Sequence, residues 1–291
     1  MNIIQLPKIN DNRGNLTFIQ AHTHIPFDIR RTYWVYDVPA GEVRGGYAFK
    51  QQSVVMTVLS GSLEVIVNDG LKEQTLSFTR SDKALYLPPL TWMELKNFAT
   101  NTVCLFLSSH IYDEKDYIRD FNEFVKLSSI SSIFSNPVPK VGSNSVSNRL
   151  NRQISVYDAS IIELSQIGER NGQITIIEGI KDLPFNVQRV FYISDIPSGA
   201  NRGAHSHRSC HQFLIATSGA FEVQLDDGRN KRTVRLDRPY YGLYIPPGIW
   251  ANEQSFSGGV VCLVLTSHIY SEDDYIRSYK DYLEYLNYNI F

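Results

Sequence analysis

The chain repeats itself at a fixed spacing of 158 residues, as the step from Trp92 to Trp250 illustrates. Residues 2–124 align without a gap with residues 160–282. Further identical pairs include Gly14 and Gly172, Arg31 and Arg189, Asp37 and Asp195, Arg44 and Arg202, Gly61 and Gly219, and Cys104 and Cys262. The runs Ser-His-Ile-Tyr and Asp-Tyr-Ile-Arg also occur once in each half. A match of this length predicts a duplicated domain, so the fold must consist of two similar units.

Each copy has the patterns of short β-strands joined by turns. Residues 63–67 alternate apolar and polar side chains and precede an Asp-Gly pair, and so do residues 221–225. An Asp-Gly pair between such segments favours a β-hairpin. Residues 103–107 and 260–265 are apolar runs that predict buried strands. Because strands and helices do not alternate, each copy is predicted to be an all-β sandwich or barrel.

A short helix is predicted at the end of each copy. In the second copy, Ser271 and the three acidic residues after it are typical of a helix start, where carboxylates favour the positive end of the helix dipole. The stretch 127–158 is rich in Ser, Asn, Gly and Pro, which predicts a linker. The predicted domains are therefore residues 1–126 and 159–291.

Composition excludes several classes of partner. The 28 Lys and Arg against 30 Asp and Glu give a net charge of −2, which does not favour nucleic-acid binding. No apolar run is long enough to cross a bilayer, and the start does not resemble a signal peptide. The three cysteines form no evident disulfide framework. We therefore expect a cytoplasmic protein without a nucleic-acid or membrane partner.

The two copies differ where protons could be exchanged. His205 and His207 stand in Arg-Gly-Ala-His-Ser-His, whereas Tyr47 and Phe49 occupy the corresponding positions of the first copy. On a strand, residues two apart point to the same face. Two imidazoles there suit proton transfer or metal binding. A free tyrosine titrates near ~10 and phenylalanine not at all. The second copy is thus predicted to be catalytic, and the first to be a scaffold or regulatory copy.

At these residues the chain resembles a known family. Arg-Gly-Ala-His-Ser-His-Arg, the Asp-Asp-Gly hairpin, Gly-Leu-Tyr-Ile-Pro-Pro-x-Ile-Trp and Asp-Tyr-Ile-Arg resemble the WxcM-like cupins. These are dTDP-sugar 3,4-ketoisomerases that act on dTDP-4-keto-6-deoxyglucose. The resemblance covers nearly all of the second copy and, in degraded form, the first. It implies a cupin jelly-roll barrel in each copy. It also implies a dimer that exchanges N-terminal strands, which a tandem chain could form within itself before any further homodimer.

The resemblance also implies roles for individual residues. His205 and His207 would be the acid and base, with no metal and no nicotinamide. Four further residues would lie beside the substrate: Arg202, Arg189, Tyr192 and Gln212. Trp250 follows a Pro-Pro pair and is either an aromatic at the rim of the site or a packing residue; we include it among the substrate-binding candidates.

Two positions depart from the family pattern. His211 stands where we expect Glu, and Ala251 is small where relatives often carry a larger polar group. The latter leaves the C4 configuration of the product open. The predicted function is nevertheless a cofactor-free 3,4-ketoisomerase that converts a dTDP-linked keto-deoxysugar for deoxyamino-sugar and surface-glycan (O-antigen) biosynthesis.

Three alternatives stay open at this point. The first is a metal-dependent cupin enzyme that uses His205, His207 and His211 as ligands, since three histidines can bind zinc or iron with open positions. The second is a non-catalytic sugar-binding protein, because the first copy keeps the repeat without the histidines. The third is a neighbouring 3,5-epimerase activity on a related dTDP-sugar.

Overall fold

The structure is a computed structural model that describes residues 1–131, 154–197 and 199–288. Most of the predicted linker lies outside these ranges. Within them, 24 strands form four antiparallel sheets, and an α-helix follows the last strand of each copy. Neither helix of the described ranges has the length and hydropathy needed to cross a membrane.

The strands divide equally between the copies. The first copy contains β1 (Asn2–Gln5), β2 (Lys8–Ile9), β3 (Asn15–Gln20), β4 (Arg31–Tyr36), β5 (Arg44–Phe49), β6 (Val54–Ser60), β7 (Leu63–Asn68), β8 (Glu73–Phe78), β9 (Lys83–Leu87), β10 (Trp92–Lys96), β11 (Val103–Ser108) and β12 (Tyr117–Ile118). The second contains β13 (Ser160–Glu163), β14 (Ser165–Glu169), β15 (Gly172–Ile177), β16 (Arg189–Ser194), β17 (Arg202–His207), β18 (Gln212–Ser218), β19 (Phe221–Asp226), β20 (Lys231–Leu236), β21 (Tyr241–Ile245), β22 (Trp250–Gln254), β23 (Val261–Thr266) and β24 (Tyr275–Ile276). Helix α1 (Phe121–Ser131) follows β12, and α2 (Tyr279–Tyr288) follows β24.

Each copy closes around a seven-stranded and a five-stranded sheet. The N-terminal barrel combines β1-β9-β6-β11-β4-β15-β14 with β12-β5-β10-β7-β8. The C-terminal barrel combines β13-β21-β18-β23-β16-β3-β2 with β20-β19-β22-β17-β24. Alternating apolar side chains from both sheets fill each interior. The prediction of two tandem all-β cupin domains, each followed by a short helix, is confirmed.

The two copies exchange their N-terminal strands. β14 and β15, which belong to the second copy in sequence, extend the N-terminal barrel because β15 pairs with β4. Reciprocally, β3 of the first copy pairs with β16 and extends the C-terminal barrel. The pair of barrels therefore forms within one chain, as the resemblance implied.

The large sheets of the two barrels also share a core. On β4, Tyr33 points into its own barrel while Trp34 points towards the other copy; on β16, Phe191 and Tyr192 divide in the same way. The indole of Trp34 donates to the carbonyl of Pro239 across this interface, at 3.0 Å. Each fully buried large apolar side chain stabilises the fold by roughly 1.5–3 kcal/mol. The barrels are thus expected to fold as one unit.

The helix boundaries differ from those predicted. Ser271 precedes a short 3-10 turn over Glu272–Asp274, and Tyr275–Ile276 is a strand that pairs with β17; the helix itself begins at Tyr279. Long-range pairing has overridden the local helix signal. In the first copy, α1 runs to Ser131, so the predicted domain boundary at residue 126 lies inside this helix.

Candidate active site

Strand β17 directs both a cation and an imidazole into the C-terminal barrel. A β-bulge interrupts its ladder with β22, where Gly203 and Ala204 adopt left-handed backbone angles with φ of 72° and 55°. The extra residue places Arg202 and His205 on the same face of the strand although they are three apart. His207, two residues further on, faces the same interior.

The two histidines lie in contact, and one of them is held by a carboxylate. Nε2 of His205 is 3.2 Å from Nε2 of His207, and Nδ1 of His207 is 2.7 Å from Asp274. Asp274 also accepts hydrogen bonds from the backbone N–H and hydroxyl of Ser209, at 2.7 and 2.6 Å. Burial opposes ionisation of Asp274, but the hydrogen bonds from His207 and Ser209 hold its pKa below the ordinary value. Asp274 is therefore an acceptor that orients the His207 ring.

This network fixes the tautomers. An ionised Asp274 can only accept, so Nδ1 of His207 carries the proton and its Nε2 has a free lone pair. Nε2 of His205 then donates to that lone pair. Burial, helped by neighbouring His207, lowers the pKa of His205 to about 3. Burial also lowers the pKa of His207, although Asp274 opposes the shift. Both imidazoles are consequently neutral at neutral pH.

Cationic and aromatic side chains surround the pair. Arg189 donates to the hydroxyl of Tyr275 at 3.1 Å, and the Tyr275 ring centroid lies 4.3 Å from that of His207. The guanidinium of Arg277 lies 4.2 Å above the same tyrosine ring. Gln212 lines the interior beside Arg189, because both residues pair with Thr266. The structure thus brings together five of the predicted residues: His205, His207, Arg189, Arg202 and Gln212.

A buried carboxyl that sequence reasoning missed lies opposite Arg202. Glu253 pairs with Arg202 in the β17–β22 ladder, and burial raises the pKa of Glu253 to about 7. Arg202 also contacts Asp11, 3.3 Å away, which the exchanged N-terminal segment supplies. The first copy has Leu95 at the position of Glu253. The ionisable interior of the second copy therefore includes an acid as well as two histidines.

Glu253 should make stability depend on pH. Because its pKa is raised on folding, protonated Glu253 contributes fully to the free energy of unfolding below about pH 4.5. This contribution, about 3 kcal/mol, is lost as the pH rises to 7 and above. Urea unfolding at pH 5 and pH 8 should therefore show that Glu253→Gln gains stability relative to the wild type at the higher pH. Glu222→Gln, on the outer face of β19, is the control. Parallel pH profiles for wild type and Glu253→Gln would contradict this assignment.

Two of the predicted substrate-binding residues lie away from the histidine pair. Tyr192 points away from the histidines into the core shared by the barrels, where its hydroxyl donates to the carbonyl of Ser81. Trp250 lies on the outer face of β22, and its ring packs on Tyr279 and Tyr282 with centroids 5.3 and 5.5 Å away. Of its two readings, packing is the one observed.

His211 does not join the histidine pair. Its Nδ1 lies 2.7 Å from the hydroxyl of Tyr244, and its ring stacks on Phe185, which belongs to the shared core. Gln212, the next residue, faces the barrel instead. The three-histidine metal site of the first alternative is therefore not assembled.

A different set of potential metal ligands occurs at the site. Ligand atoms of His207, Cys210 and Asp274 lie within 4.8 Å of one another. However, burial raises the pKa of the Cys210 thiol, which disfavours the thiolate that metals bind. Asp274 already accepts hydrogen bonds from His207 and from the backbone N–H of Cys210. These contacts suit a hydrogen-bonded carboxylate better than a ligand set.

Comparison with known proteins identifies the family. The family model described as "FdtA: WxcM-like, C-terminal" matches residues 1–129 and again residues 157–287. The chain belongs to this WxcM-like family. Because the two matches coincide with the two copies, the resemblance seen in the sequence is confirmed for both, including the copy without histidines.

Three similar proteins are ketoisomerases by name, and each matches about half of this chain. The TDP-4-oxo-6-deoxy-alpha-D-glucose-3,4-oxoisomerase of Aneurinibacillus thermoaerophilus is 37% identical over 126 residues, which is 43% of this chain and 91% of the relative. The 3,4-ketoisomerase QdtA of Thermoanaerobacterium thermosaccharolyticum, solved with TDP, is 36% identical and covers 47% of this chain and 100% of its own, with a TM-score of 0.46. The TDP-quinovose 3,4-ketoisomerase WlaRB of Campylobacter jejuni is 37% identical. The match covers 44% of this chain and 99% of WlaRB, with a TM-score of 0.43.

Proposed function

We propose that this WxcM-like chain is a sugar-nucleotide 3,4-ketoisomerase that acts on dTDP-4-keto-6-deoxyglucose, and that its chemistry takes place in the C-terminal barrel. The observation that carries the proposal is the hydrogen-bonded chain from His205 through His207 to Asp274 inside that barrel. The ketoisomerase relatives support the same reaction class.

The reaction consists of proton transfers. Moving the carbonyl from C4 to C3 requires a base to remove the C3 proton, stabilisation of the enediolate, and delivery of a proton to C4. The oxygens on C3 and C4 must also exchange a proton.

The hydrogen bonds of the two histidines suggest which one acts as the base and which one returns the proton. Nε2 of His207 is the basic atom, because Asp274 orients the ring and stabilises the imidazolium that forms. His205 returns a proton and can exchange one with His207 over 3.2 Å. Arg189 holds developing negative charge on the enediolate or the charge of the diphosphate. Binding of the distant nucleotide aligns the sugar with this pair.

The test is incubation of the full chain, after exhaustive chelation, with dTDP-4-keto-6-deoxyglucose, with NMR used to locate the carbonyl. The proposal predicts a 3-keto product and turnover that survives EDTA. Activity that disappears with EDTA and returns with one particular metal would favour a metal-dependent enzyme. An unchanged substrate would favour the non-catalytic sugar-binding alternative.

Asp274 is expected to act as a positioning residue. Asp274→Asn should lower kcat by up to about 10⁴-fold, because an amide no longer holds a catalytic histidine in the required tautomer or stabilises its imidazolium. Because burial lowers the pKa of His207, the acid limb of kcat/KM should lie below pH 6.5 in the wild type, and it should move lower still without the carboxylate. Asp116→Asn, the matched change in the first copy, is the control. An acid limb that Asp274→Asn leaves in place would contradict the role.

The wider setting follows from the proposed substrate. We place the reaction in deoxyamino-sugar synthesis for surface glycans such as O-antigen. A cytoplasmic location and a further homodimer stay predictions.

A further inference from the structure

The N-terminal barrel contains a cavity of about 770 Å³ at the position that corresponds to the histidine site. Its lining includes Arg31, Tyr47, Tyr117 and Arg119. Ligand pockets commonly measure 300–1,000 Å³. The copy without histidines therefore keeps room for a ligand the size of a nucleotide sugar.

The contacts that frame the histidine site recur around this cavity. Arg31 donates to the hydroxyl of Tyr117 at 3.1 Å, as Arg189 does to Tyr275. These pairs stand at the 158-residue spacing, so the cation and the phenol next to it have been kept in both barrels. Neither group is needed for proton transfer if the histidines supply it.

A second arginine repeats in the same way. Arg119 lies 4.7 Å above the ring of Tyr117 and is paired with Glu114 at 2.9 Å. In the other barrel, Arg277 lies above Tyr275 and is paired with Glu272. Both arginines are half-exposed at the mouth of their barrels, where a ligand's phosphates could replace part of their solvent contact.

The two histidines have been replaced in this barrel. Tyr47 and Phe49 stand where the other barrel has histidines, and burial raises the pKa of Tyr47 to about 12. Neither side chain can accept a proton at neutral pH. The buried hydroxyl of Tyr33, which faces the cavity, has no hydrogen-bond partner of normal geometry among the described residues.

The lining favours an anion that carries a flat ring. Five cationic side chains line the cavity: Arg30, Arg31, Arg44, Arg119 and Lys181. Among the described residues, Arg30 is paired with Asp28, Arg31 with Glu178 and Arg119 with Glu114. Glu178 comes from the exchanged segment after β15 and lies 3.0 Å from Arg31. Tyrosine rings of the lining offer faces on which a base can stack.

We propose that the N-terminal barrel is a second, non-catalytic binding site for a nucleoside diphosphate of the class that the C-terminal barrel converts. The choice of ligand class rests on the proposed function, whereas the cavity and its cationic lining are observed in the structure independently of that function. The site needs the tandem arrangement, because the second copy supplies Glu178 and part of the wall.

The test is calorimetric titration of the full chain with dTDP, with thymidine as the uncharged probe. We expect two molecules of dTDP per chain and much weaker binding of thymidine. Arg119→Ala should weaken one of the two sites by at least about tenfold, and Arg277→Ala the other. Both arginines are at half-exposed ion pairs, so neither change is expected to unfold the chain.

One dTDP per chain, lost in Arg277→Ala and unaffected by Arg119→Ala, would overturn the second site. The turnover assay separates this failure from failure of the proposed function. If the chain turns over substrate but binds one dTDP, the ketoisomerase proposal is supported and the second site is contradicted. If the chain binds two dTDP molecules but shows no turnover, the second site is supported and the ketoisomerase proposal is contradicted.

Discussion

Replacing His205 by phenylalanine is expected to lower kcat by about 10²–10⁴-fold, which is the usual contribution of a positioned acid or base. The substitution removes the group that lies 3.2 Å from His207 and leaves the aromatic surroundings in place. The first copy shows that an aromatic residue fits this position, because Tyr47 occupies it there. The loss should therefore be in chemistry rather than in folding.

The matched control is Tyr47→Phe, which creates the same residue at the corresponding position of the other barrel. It should change turnover little, since the N-terminal barrel has no base to begin with. Circular dichroism and thermal melting check that both variants are folded. Comparable losses from the two substitutions would show that catalysis is not confined to the C-terminal barrel.

Expression of residues 159–291 alone is expected to abolish most activity and to give aggregated protein. Without the first copy, β16 loses its pairing with β3 and becomes an open edge that can pair with other chains. The face that carries Tyr192 and Phe213 in the shared core becomes a large exposed apolar surface. Arg202 also loses its contact with Asp11.

The control for this truncation is co-expression of residues 1–131 and 154–291 as separate chains. Since strand pairing and a shared core hold the barrels together, the two pieces should assemble and recover turnover. Size-exclusion chromatography and the turnover assay measure both outcomes. A soluble, fully active monomer of residues 159–291 would contradict the structural dependence of one barrel on the other.

The internal repeat predicted most of the fold, because two copies of one strand pattern allow few arrangements. The C-terminal segment is where local sequence misled. Ser271 and the acidic residues after it resemble a helix start, but Tyr275 and Ile276 pair with β17 instead. That pairing brings Asp274 to His207, and no local pattern reveals it. In the first copy, Asp116 accepts hydrogen bonds from the backbone N–H groups of Gln51 and Gln52, so the recurrence of this aspartate did not mark a catalytic role.

The substrate-facing residues depended on which face of a strand each side chain occupies. Arg189 and Tyr192 are three apart on a regular strand, so they point to opposite sides, and period-two alternation could have excluded Tyr192. Arg202 and His205 are also three apart, yet they share a face because of the bulge at Gly203. Sequence alone does not distinguish these cases reliably.

Glu253 could have been identified as a candidate site residue from the sequence. Comparison of the copies shows Leu95 at the same position, the same kind of exchange that singles out His205. The sequence could not show that Glu253 lies buried opposite Arg202, since that depends on the β17–β22 register.

The central claim is that histidines of the C-terminal barrel move the carbonyl by removing and returning protons. Its most direct test is conversion of dTDP-4-keto-6-deoxyglucose in D₂O, with NMR used to locate deuterium in the product. After the chain has been equilibrated in D₂O, the account predicts deuterium at C4 of the product formed in a single turnover, and a rate of conversion by His205→Phe that is about 10²–10⁴-fold lower. Hydrogen at C4 after a single turnover, or conversion by His205→Phe at the wild-type rate, would contradict it.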